Sequence, residues 1–327
     1  MSYDSRMKIL VTGGAGFIGS HLCERLILSG HEVTVLDNLS TGRSSNLKHI
    51  SSNSDFHLVE GSILDTQILN SLVRDVDYVF HLAAAVGVFN IVNNSLESML
   101  TNIRGTENVF EAAHHANTPV LLTSSSEVYG KNISNSLKES DDRIIGSPII
   151  LRWSYSESKA IDESLAYAYF TEKKLETRIV RLFNTVGPRQ LGAYGMVVPR
   201  FVRAALSNEP LTIYGNGNQT RCFAHVLDVV DAIVRVAFAE NTVGKVVNIG
   251  NDFEISIKDL SQKVIAETDS KSEMVYVPYE LAYGNGFEDM ERRVPNIELI
   301  NRLVSWSPNR DLSTMIRDIS SDMKKNS

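Results

Sequence analysis

The chain has 327 residues, 43% of them hydrophobic and 22% charged, and a formal net charge of -7. These values are typical of a globular protein with one large or two modest domains, and the negative charge argues against a nucleic-acid or anionic-membrane partner. The N-terminus is polar and lacks the apolar core of a signal peptide. Two cysteines, Cys23 and Cys222, lie far apart without metal-ligand spacing. We therefore expect a cytoplasmic protein with no disulfide framework, metal site or membrane segment.

The first half of the chain alternates short β-rich runs with segments of helical apolar spacing. The sequence predicts strands at Lys8–Thr12, Glu32–Leu36, Phe56–Val59, Tyr78–Leu82 and Val120–Thr123. It predicts helices between them at Gly16–Ser29, Thr66–Arg74 and Leu96–Ala116. Strand–helix alternation at this spacing predicts βαβ units and a parallel sheet, as in a Rossmann-type doubly wound α/β fold.

The second half changes its rhythm after a predicted helix at Tyr155–Glu172 and a strand at Glu176–Phe183. Glycine and proline then separate shorter elements. Further helices are predicted at Pro199–Leu206, at Leu227–Ala239 and near the C-terminus. We expect residues 1–183 to form the sheet-containing domain and residues 184–327 a smaller α-rich domain, although Val246–Ile249 fits a strand that returns to the main sheet.

A glycine-rich turn joins the first predicted strand to the first predicted helix. Gly13, Gly16 and Gly19 have GxxGxxG spacing, which permits a tight turn, admits a pyrophosphate to the helix N-terminus and lets the helix pack closely on the strand. Asp37 ends the second strand, where a carboxylate binds the ribose hydroxyls of adenosine and repels a 2′-phosphate. The motif and its context predict a dinucleotide site that favours NAD, and Arg43 nearby leaves NADP open.

A second motif, Tyr155–Lys159 (YSESK), places a tyrosine and a lysine four residues apart on one helix face. A phenol is a poor base at neutral pH, and a neighbouring ammonium lowers its pKa. Tyr155 could then take a proton from a hydroxyl while the carbon beneath gives a hydride to NAD. Ser125, in a serine-rich turn after a predicted strand, can donate to the same oxygen. Either motif alone is common, but their order along the chain favours a catalytic site.

Together these motifs resemble the extended short-chain dehydrogenase/reductase family, and within it the UDP-sugar epimerases, decarboxylases and dehydratases. The likeness covers nearly the whole chain. The segments that carry it are Thr12–His21 (TGGAGFIGSH), Asp37–Arg43 (DNLSTGR), His81–Ala84 (HLAA), Ser124–Gly130 (SSSEVYG), Tyr155–Lys159 (YSESK), Arg181–Asn184 (RLFN), Gly215–Phe223 (GNGNQTRCF) and Glu291–Pro295 (ERRVP).

The resemblance implies a set of site residues. It assigns catalysis to Ser125, Ser126, Glu127, Tyr155 and Lys159. It assigns the NAD site to Gly13, Gly16, Phe17, Ile18, Gly19, Asp37, Asn38, Ser62, Ile63, Leu82, Ala83, Ala84 and Asn102, together with Tyr155 and Lys159. It assigns the UDP-sugar site to Val86, Asn184, Val198, Pro199, Arg221 and Arg292. The two arginines are fork-shaped donors suited to phosphate oxygens, and the alternative for them is surface pairing with acids such as Glu288 and Asp289. Many relatives have an aspartate where this chain has Ser62.

The resemblance also limits the reaction, which in these relatives begins with oxidation of the sugar C4 to a ketone. Dehydratases carry an aspartate–glutamate pair where this chain has Ser126-Glu127, so dehydration is disfavoured. UDP-glucuronate decarboxylases share the serine–glutamate pair, and the segment Arg152–Tyr155 (RWSY) resembles the one that leads to the tyrosine in such decarboxylases. Simple 4-epimerases usually have a small or hydroxyl residue at Glu127, but Phe183–Arg189 and Gly286–Met290 resemble bacterial 4-epimerases.

The sequence therefore favours decarboxylation of UDP-glucuronate over 4-epimerisation of UDP-glucuronate, UDP-glucose or UDP-N-acetylglucosamine. A non-catalytic NAD-binding sensor is a remote alternative. We expect NAD to stay bound and to be regenerated in each cycle. We also expect a homodimer formed through Leu96–Ala116 and Tyr155–Glu172, and an influence of Glu127 and Val86–Val88 on the outcome of the reaction.

Overall fold

Of the strands among the described residues, seven form one parallel sheet and six form three two-stranded sheets. The structure is a computed structural model and describes residues 5–86, 94–192, 196–278, 281, 290 and 292–325. Predictions that involve residues 87–88, 286–289 and 291 therefore lie outside the described residues. The strands are β1 Lys8–Thr12, β2 Glu32–Asp37, β3 Phe56–Glu60, β4 Tyr78–His81, β5 Val120–Ser125, β6 Thr177–Leu182, β7 Thr185–Val186, β8 Leu211–Tyr214, β9 Thr220–Cys222, β10 Ala224–His225, β11 Val246–Ile249, β12 Glu254–Ser256 and β13 Met274–Val277.

The helical segments lie where the apolar spacing places them, and every predicted helix or strand whose bounds were given ends within two residues of its observed limits. The helices are α1 Phe17–Leu28, α2 Thr66–Arg74, α3 Ser95–Ala116, α4 Ser154–Lys173, α5 Val197–Leu206, α6 Val226–Phe238, α7 Ile257–Glu267, α8 Glu298–Val304 and α9 Leu312–Lys325. The α7 helix was not predicted from the sequence. It begins at Ile257 and is capped by Ser256, whose hydroxyl accepts a hydrogen bond from the Asp259 N–H at 3.0 Å.

The main sheet has seven parallel strands in the order β11-β6-β5-β4-β1-β2-β3. In β1, Ile9, Leu10 and Val11 are fully buried, as expected for a parallel strand covered by helices on both faces. Strand β11 pairs with β6, so Val246–Ile249 does return to this sheet. The strand order reverses between β1 and β4, and the crevice at their carboxyl ends is where such sheets bind ligands. The predicted Rossmann-type α/β fold is confirmed.

Three large apolar clusters among the described residues hold the layers together, beside a smaller one around Tyr129. Helices α1 and α6 cover one face of the sheet, where Leu22 and Ile233 are buried in the same cluster. Helices α2, α3 and α4 cover the other face, around buried Phe110. A third cluster joins α5, α7 and α9 around Phe201 and Ile316. Each such side chain contributes about 1.5–3 kcal/mol through its removal from water. The division of the chain after residue 183 stays a prediction.

Candidate active site

The glycine turn leaves room for a ligand between β1 and α1. Gly13 has a φ of +73°, and a Cβ there would lie 2.7 Å from the backbone nitrogen of Ala83, so only glycine fits. A Cβ on Gly19 would overlap the carbonyl oxygen of Gly13. Gly16 stands at the N-cap of α1 and has no side chain to cover the first N–H groups of the helix. The turn can therefore bind a pyrophosphate by its backbone.

Asp37 closes the adenosine end of this turn. Its carboxylate accepts hydrogen bonds from the backbone N–H groups of Ala15, at 2.9 Å, and Leu39, at 2.8 Å. Burial raises the pKa of Asp37, while these two bonds lower it. The carboxylate is thus fixed in orientation at the end of β2, where the ribose of a dinucleotide would lie.

A single cavity of about 850 Å³ extends from this turn across the carboxyl ends of the strands to the C-terminal helices. The cavity brings together most of the predicted site residues. Those that line it are Gly13, Gly16, Phe17, Ile18, Gly19, Asp37, Asn38, Ser62, Ile63, Leu82, Ala83, Ala84, Val86, Ser125, Ser126, Glu127, Tyr155, Lys159, Asn184, Val198 and Arg221.

The predicted catalytic pair lies in the first turns of α4, where the four-residue spacing places both side chains toward the cavity. Burial raises the pKa of Tyr155; the Lys159 ammonium lowers it, the carboxylates of Glu127 and Asp162 raise it, and a hydrogen bond with Ser125 lowers it. Lys159 donates to the backbone oxygen of Thr123 at 3.1 Å. A hydroxyl, a phenol and an ammonium therefore meet at one point of the cavity wall, as proton transfer from a substrate hydroxyl requires.

Glu127 lies beside this group and is held by two arginines. Its carboxylate is 2.7 Å from Arg152 Nη1 and 2.8 Å from Arg293 Nη1, and both arginines also line the cavity. Arg293 further donates to the Ser126 hydroxyl at 3.2 Å. Burial raises the pKa of Glu127, but Arg293 and Arg152 outweigh that effect and hold the pKa at about 2. Glu127 is therefore an ionised group at neutral pH and not a proton donor.

Three predicted site residues do not line the cavity. The Asn102 side chain forms two hydrogen bonds with the backbone of Ala85: it accepts from the Ala85 N–H at 2.7 Å and donates to the Ala85 oxygen at 3.3 Å. Asn102 therefore supports the cavity wall after β4. Pro199 is buried in the first turn of α5. Arg292 turns away and forms an ion pair with Glu254 at 2.8 Å, while the next residue, Arg293, enters the cavity. The predicted substrate contacts of Pro199 and Arg292 stay predictions.

Four further arginines line the cavity and were not predicted as site residues from the sequence: Arg152, Arg189, Arg200 and Arg293. With Arg221 they bring five arginines to the cavity wall. Arg152 and Arg293 contact Glu127, whereas Arg189 pairs with Glu24 of α1 at 2.7 Å, close to the glycine turn. Guanidinium groups match phosphate and carboxylate oxygens in geometry and charge. Arg152 and Arg293 do lie in segments that carry the family resemblance, Arg152–Tyr155 and Glu291–Pro295. Nothing in the sequence indicated that these two arginines line the cavity.

Among the described residues, no three His, Cys, Asp or Glu side chains are grouped to hold a metal ion. Within the same ranges, no helix is long and apolar enough to cross a membrane. Cys23 and Cys222 are both buried and unbridged.

Comparison with known proteins agrees with this geometry. Residues 9–250 match the family described as "NAD dependent epimerase/dehydratase family". The chain is 41% identical to the UDP-N-acetyl-alpha-D-glucosaminuronate decarboxylase of Bacillus cytotoxicus over 93% of this chain and 94% of that protein. It is 35% identical to UDP-glucuronic acid decarboxylase 1 of Danio rerio over 94% of this chain and 70% of that protein.

A solved structure extends the comparison to the fold. The UDP-glucuronic acid 4-epimerase of Bacillus cereus, in complex with UDP-glucuronic acid and NAD, superposes with a TM-score of 0.88 at 29% identity. The match covers 98% of this chain and 100% of that one. The family and the cofactor predicted from the motifs are thereby confirmed. The chain is an enzyme of the NAD-dependent epimerase/dehydratase family.

Proposed function

We propose that the protein decarboxylates a UDP-hexuronate through a 4-keto intermediate, with UDP-glucuronate as the first candidate substrate. The observation that carries the proposal is the Glu127 carboxylate held between Arg152 and Arg293 in the cavity wall, beside Ser125 and Tyr155. The two curated relatives, named as decarboxylases of uronate sugars, support the same reaction.

The dinucleotide fits the part of the cavity that the glycine turn forms. Gly13, Gly16 and Gly19 would admit its pyrophosphate, because a Cβ at Gly13 or Gly19 would meet backbone atoms. Asp37 would bind the adenosine ribose. When bound, NAD supplies a hydride acceptor for the sugar C4 and returns the hydride later in the cycle.

Tyr155, Ser125 and Lys159 would act at the C4 hydroxyl. Tyr155 would take the hydroxyl proton, and Lys159 favours the phenolate by its charge. Ser125 would donate a hydrogen bond to the oxygen of the resulting ketone. The same groups would stabilise negative charge on that oxygen in the next step.

Arg152 and Arg293 would receive the sugar carboxylate, since charge-assisted bonds from guanidinium groups are specific for planar anions. The 4-keto group makes this carboxylate a β-keto acid. The C5–C6 bond then breaks, carbon dioxide leaves, and the electron pair passes to an enolate whose oxygen lies at Ser125 and Tyr155. Solvent or a protonated group in the wall would supply the proton that C5 takes up.

Glu127 would act by positioning the arginines. With a pKa of about 2 it carries no proton to donate at neutral pH, and its backbone is fixed at both sides. Its N–H donates to the Ser125 hydroxyl at 3.2 Å, and its carbonyl accepts from the Ser156 hydroxyl at 2.7 Å. Glu127 therefore links the arginine pair to the two turns that carry Ser125 and Tyr155.

The test is proton NMR of the purified protein with UDP-glucuronate, with its 2-acetamido analogue UDP-N-acetylglucosaminuronate, and with UDP-glucose as a control. The proposal is supported if a UDP-pentose appears from either uronate and none appears from UDP-glucose. Turnover of UDP-glucose alone would contradict it.

A second candidate, 4-epimerisation, is supported by the superposition on a UDP-glucuronic acid 4-epimerase. An arginine pair can bind a sugar carboxylate without removing it. The same NMR experiment separates the two reactions, because an epimerase would return a C4 epimer with all six sugar carbons.

We further propose a homodimer through α3 and α4 and a cytoplasmic location. Leu96 on α3 and Ile161 and Tyr167 on α4 are exposed, and exposed apolar side chains on two neighbouring helices suit a self-association surface. Sedimentation analysis with a Tyr167→Glu variant tests the dimer: the variant should sediment as a monomer.

A further inference from the structure

The ammonium of Lys159 has a buried counter-ion. Its Nζ lies 3.1 Å from Oδ2 of Asp162, one turn further along α4, and the two side chains are 3% and 0% exposed. A buried ion pair of this kind is kept only where its geometry is well matched. None of the site motifs includes Asp162, yet it makes direct contact with the predicted catalytic lysine.

Asp162 is also joined to the dinucleotide turn by a line of buried polar groups. The Thr106 hydroxyl on α3 lowers the pKa of Asp162, and it lies 3.0 Å from Nε2 of His81. The other ring nitrogen of His81 is 2.8 Å from the hydroxyl of Thr12, the last residue of β1. Burial, with a further effect of Lys159, lowers the pKa of His81 to about 3, so this histidine is neutral and serves as a structural link.

We propose that Asp162 is a positioning residue of the reaction: it holds the Lys159 ammonium beside Tyr155 and serves as its counter-ion. This inference rests on the proposed roles of Tyr155 and Lys159, which decarboxylation and 4-epimerisation share. Without the carboxylate, a lysine at this depth would lose its proton more easily, because burial disfavours the charged form.

The neighbouring charges define what Asp162 adds. Burial lowers the pKa of Lys159, but the carboxylate of Asp162 and then Tyr155 outweigh it and raise the pKa, with Glu163 acting in the same direction. Glu163 is paired with Arg181 of β6 at 2.7 Å, and Glu127 is held by Arg152 and Arg293 as described. Asp162 is therefore the acid in direct contact with Lys159 among the described residues.

Loss of the Asp162 charge should change the pKa values of Tyr155 and Lys159 in the same direction. A negative charge makes it harder to remove a proton from any group nearby, so its removal lowers the pKa of Tyr155 and of Lys159 together. The acid limb of the rate profile reports ionisation of Tyr155, and the basic limb reports loss of the Lys159 proton. Both limbs should therefore move to lower pH. We expect a shift of about one pH unit, the size expected when a carboxylate a few ångströms from a titrating group is removed.

The experiment is the pH dependence of kcat for Asp162→Asn, with Asp162→Glu as the matched control that keeps the charge. The assay uses the NAD-loaded enzyme with UDP-glucuronate and UDP-N-acetylglucosaminuronate and follows carbon dioxide release and sugar conversion. Asp162→Ser, which also removes the charge, is measured beside Asp162→Asn as a second neutral variant. We expect both limbs to shift in the neutral variants and to stay at their wild-type positions in Asp162→Glu.

Two results would overturn the inference: a neutral variant that is slower at every pH with both limbs unmoved, or an equal shift in Asp162→Glu. Tyr155→Phe in the same assay separates this failure from failure of the proposed function. Retained turnover in Tyr155→Phe would refute the proposed chemistry itself. An inactive Tyr155→Phe with unmoved limbs in Asp162→Asn would refute only the role of Asp162.

Discussion

Replacement of Arg293 by methionine should remove the preference of the cavity for a carboxylated sugar. Methionine keeps much of the length of the side chain and removes the guanidinium that lies 2.8 Å from Glu127 and 3.2 Å from the Ser126 hydroxyl. The sugar carboxylate would then lose one of the two arginines proposed to bind it. The rest of the substrate, including its diphosphate, would keep its contacts.

The size of the effect follows from the type of bond that is lost. A hydrogen bond to a charged group contributes about 1.5–3 kcal/mol, which corresponds to a loss of roughly tenfold to a hundredfold in affinity for UDP-glucuronate. UDP-glucose lacks the carboxylate, so its affinity should change by less than about threefold. Calorimetric titration in a Tyr155→Phe background, where turnover is blocked, measures both dissociation constants for the NAD-loaded protein.

Arg292→Met is the matched control for this substitution. Arg292 precedes Arg293 in the chain but pairs with Glu254 outside the cavity, so its loss should leave the ratio of the two affinities unchanged. Equal weakening of both ligands in Arg293→Met, or the same loss of selectivity in Arg292→Met, would refute the assignment of the carboxylate site.

Three further predictions follow from the geometry. Gly19→Ala should abolish NAD retention, because its Cβ would overlap a backbone oxygen. Gly30→Ala also strains the backbone, since Gly30 has a φ of +84°, but this residue lies outside the cavity, so the variant should retain NAD; absorbance of the purified proteins measures this. Tyr155→Phe should keep bound NAD and lose turnover by at least about a hundredfold, and unchanged turnover would exclude Tyr155 as the base. The folded-state pKa of Glu127, about 2, lies below its ordinary value of 4.5, so its ionisation stabilises the fold above about pH 4.5 and this contribution is lost as the pH falls through about 2. Glu127→Gln should therefore lower the free energy of unfolding by roughly 3 kcal/mol at neutral pH and by less at about pH 3. Urea denaturation in which the variant and the wild type differ by the same free energy at both pH values would contradict the ionised state.

The dinucleotide half of the site was predictable from the sequence because its chemistry depends on local spacing. Three glycines and Asp37 lie within one βαβ unit, and the fold of that unit fixes their relation. The four-residue spacing of Tyr155 and Lys159 likewise fixes one helix face. These elements lie in the cavity as expected.

The arginine-lined part of the cavity, apart from Arg221, was not predictable, because it depends on contacts between distant segments. The pair Arg292-Arg293 looks equivalent in sequence, and the backbone decides which side chain enters the cavity. Leu137 donates to the Val294 oxygen and accepts from the Asn296 N–H, both at 2.8 Å, and in such an extended segment neighbouring side chains point to opposite sides. The partner of this segment lies more than 150 residues away, so local patterns carry no sign of it. Asp162 was missed for a related reason, since only burial reveals its contact with Lys159.

The most direct test of the central claim is the fate of C5 when UDP-glucuronate is incubated with the NAD-loaded enzyme in deuterium oxide. Decarboxylation through a 4-keto sugar predicts a UDP-pentose that carries one solvent-derived deuterium at C5, because the electron pair left by carbon dioxide must take up a proton from the medium. Recovery of the C4 epimer of UDP-glucuronate, with all its carbons and no deuterium at C5, would contradict decarboxylation and identify the protein as a 4-epimerase. Mass spectrometry and NMR of the same sample distinguish the two products.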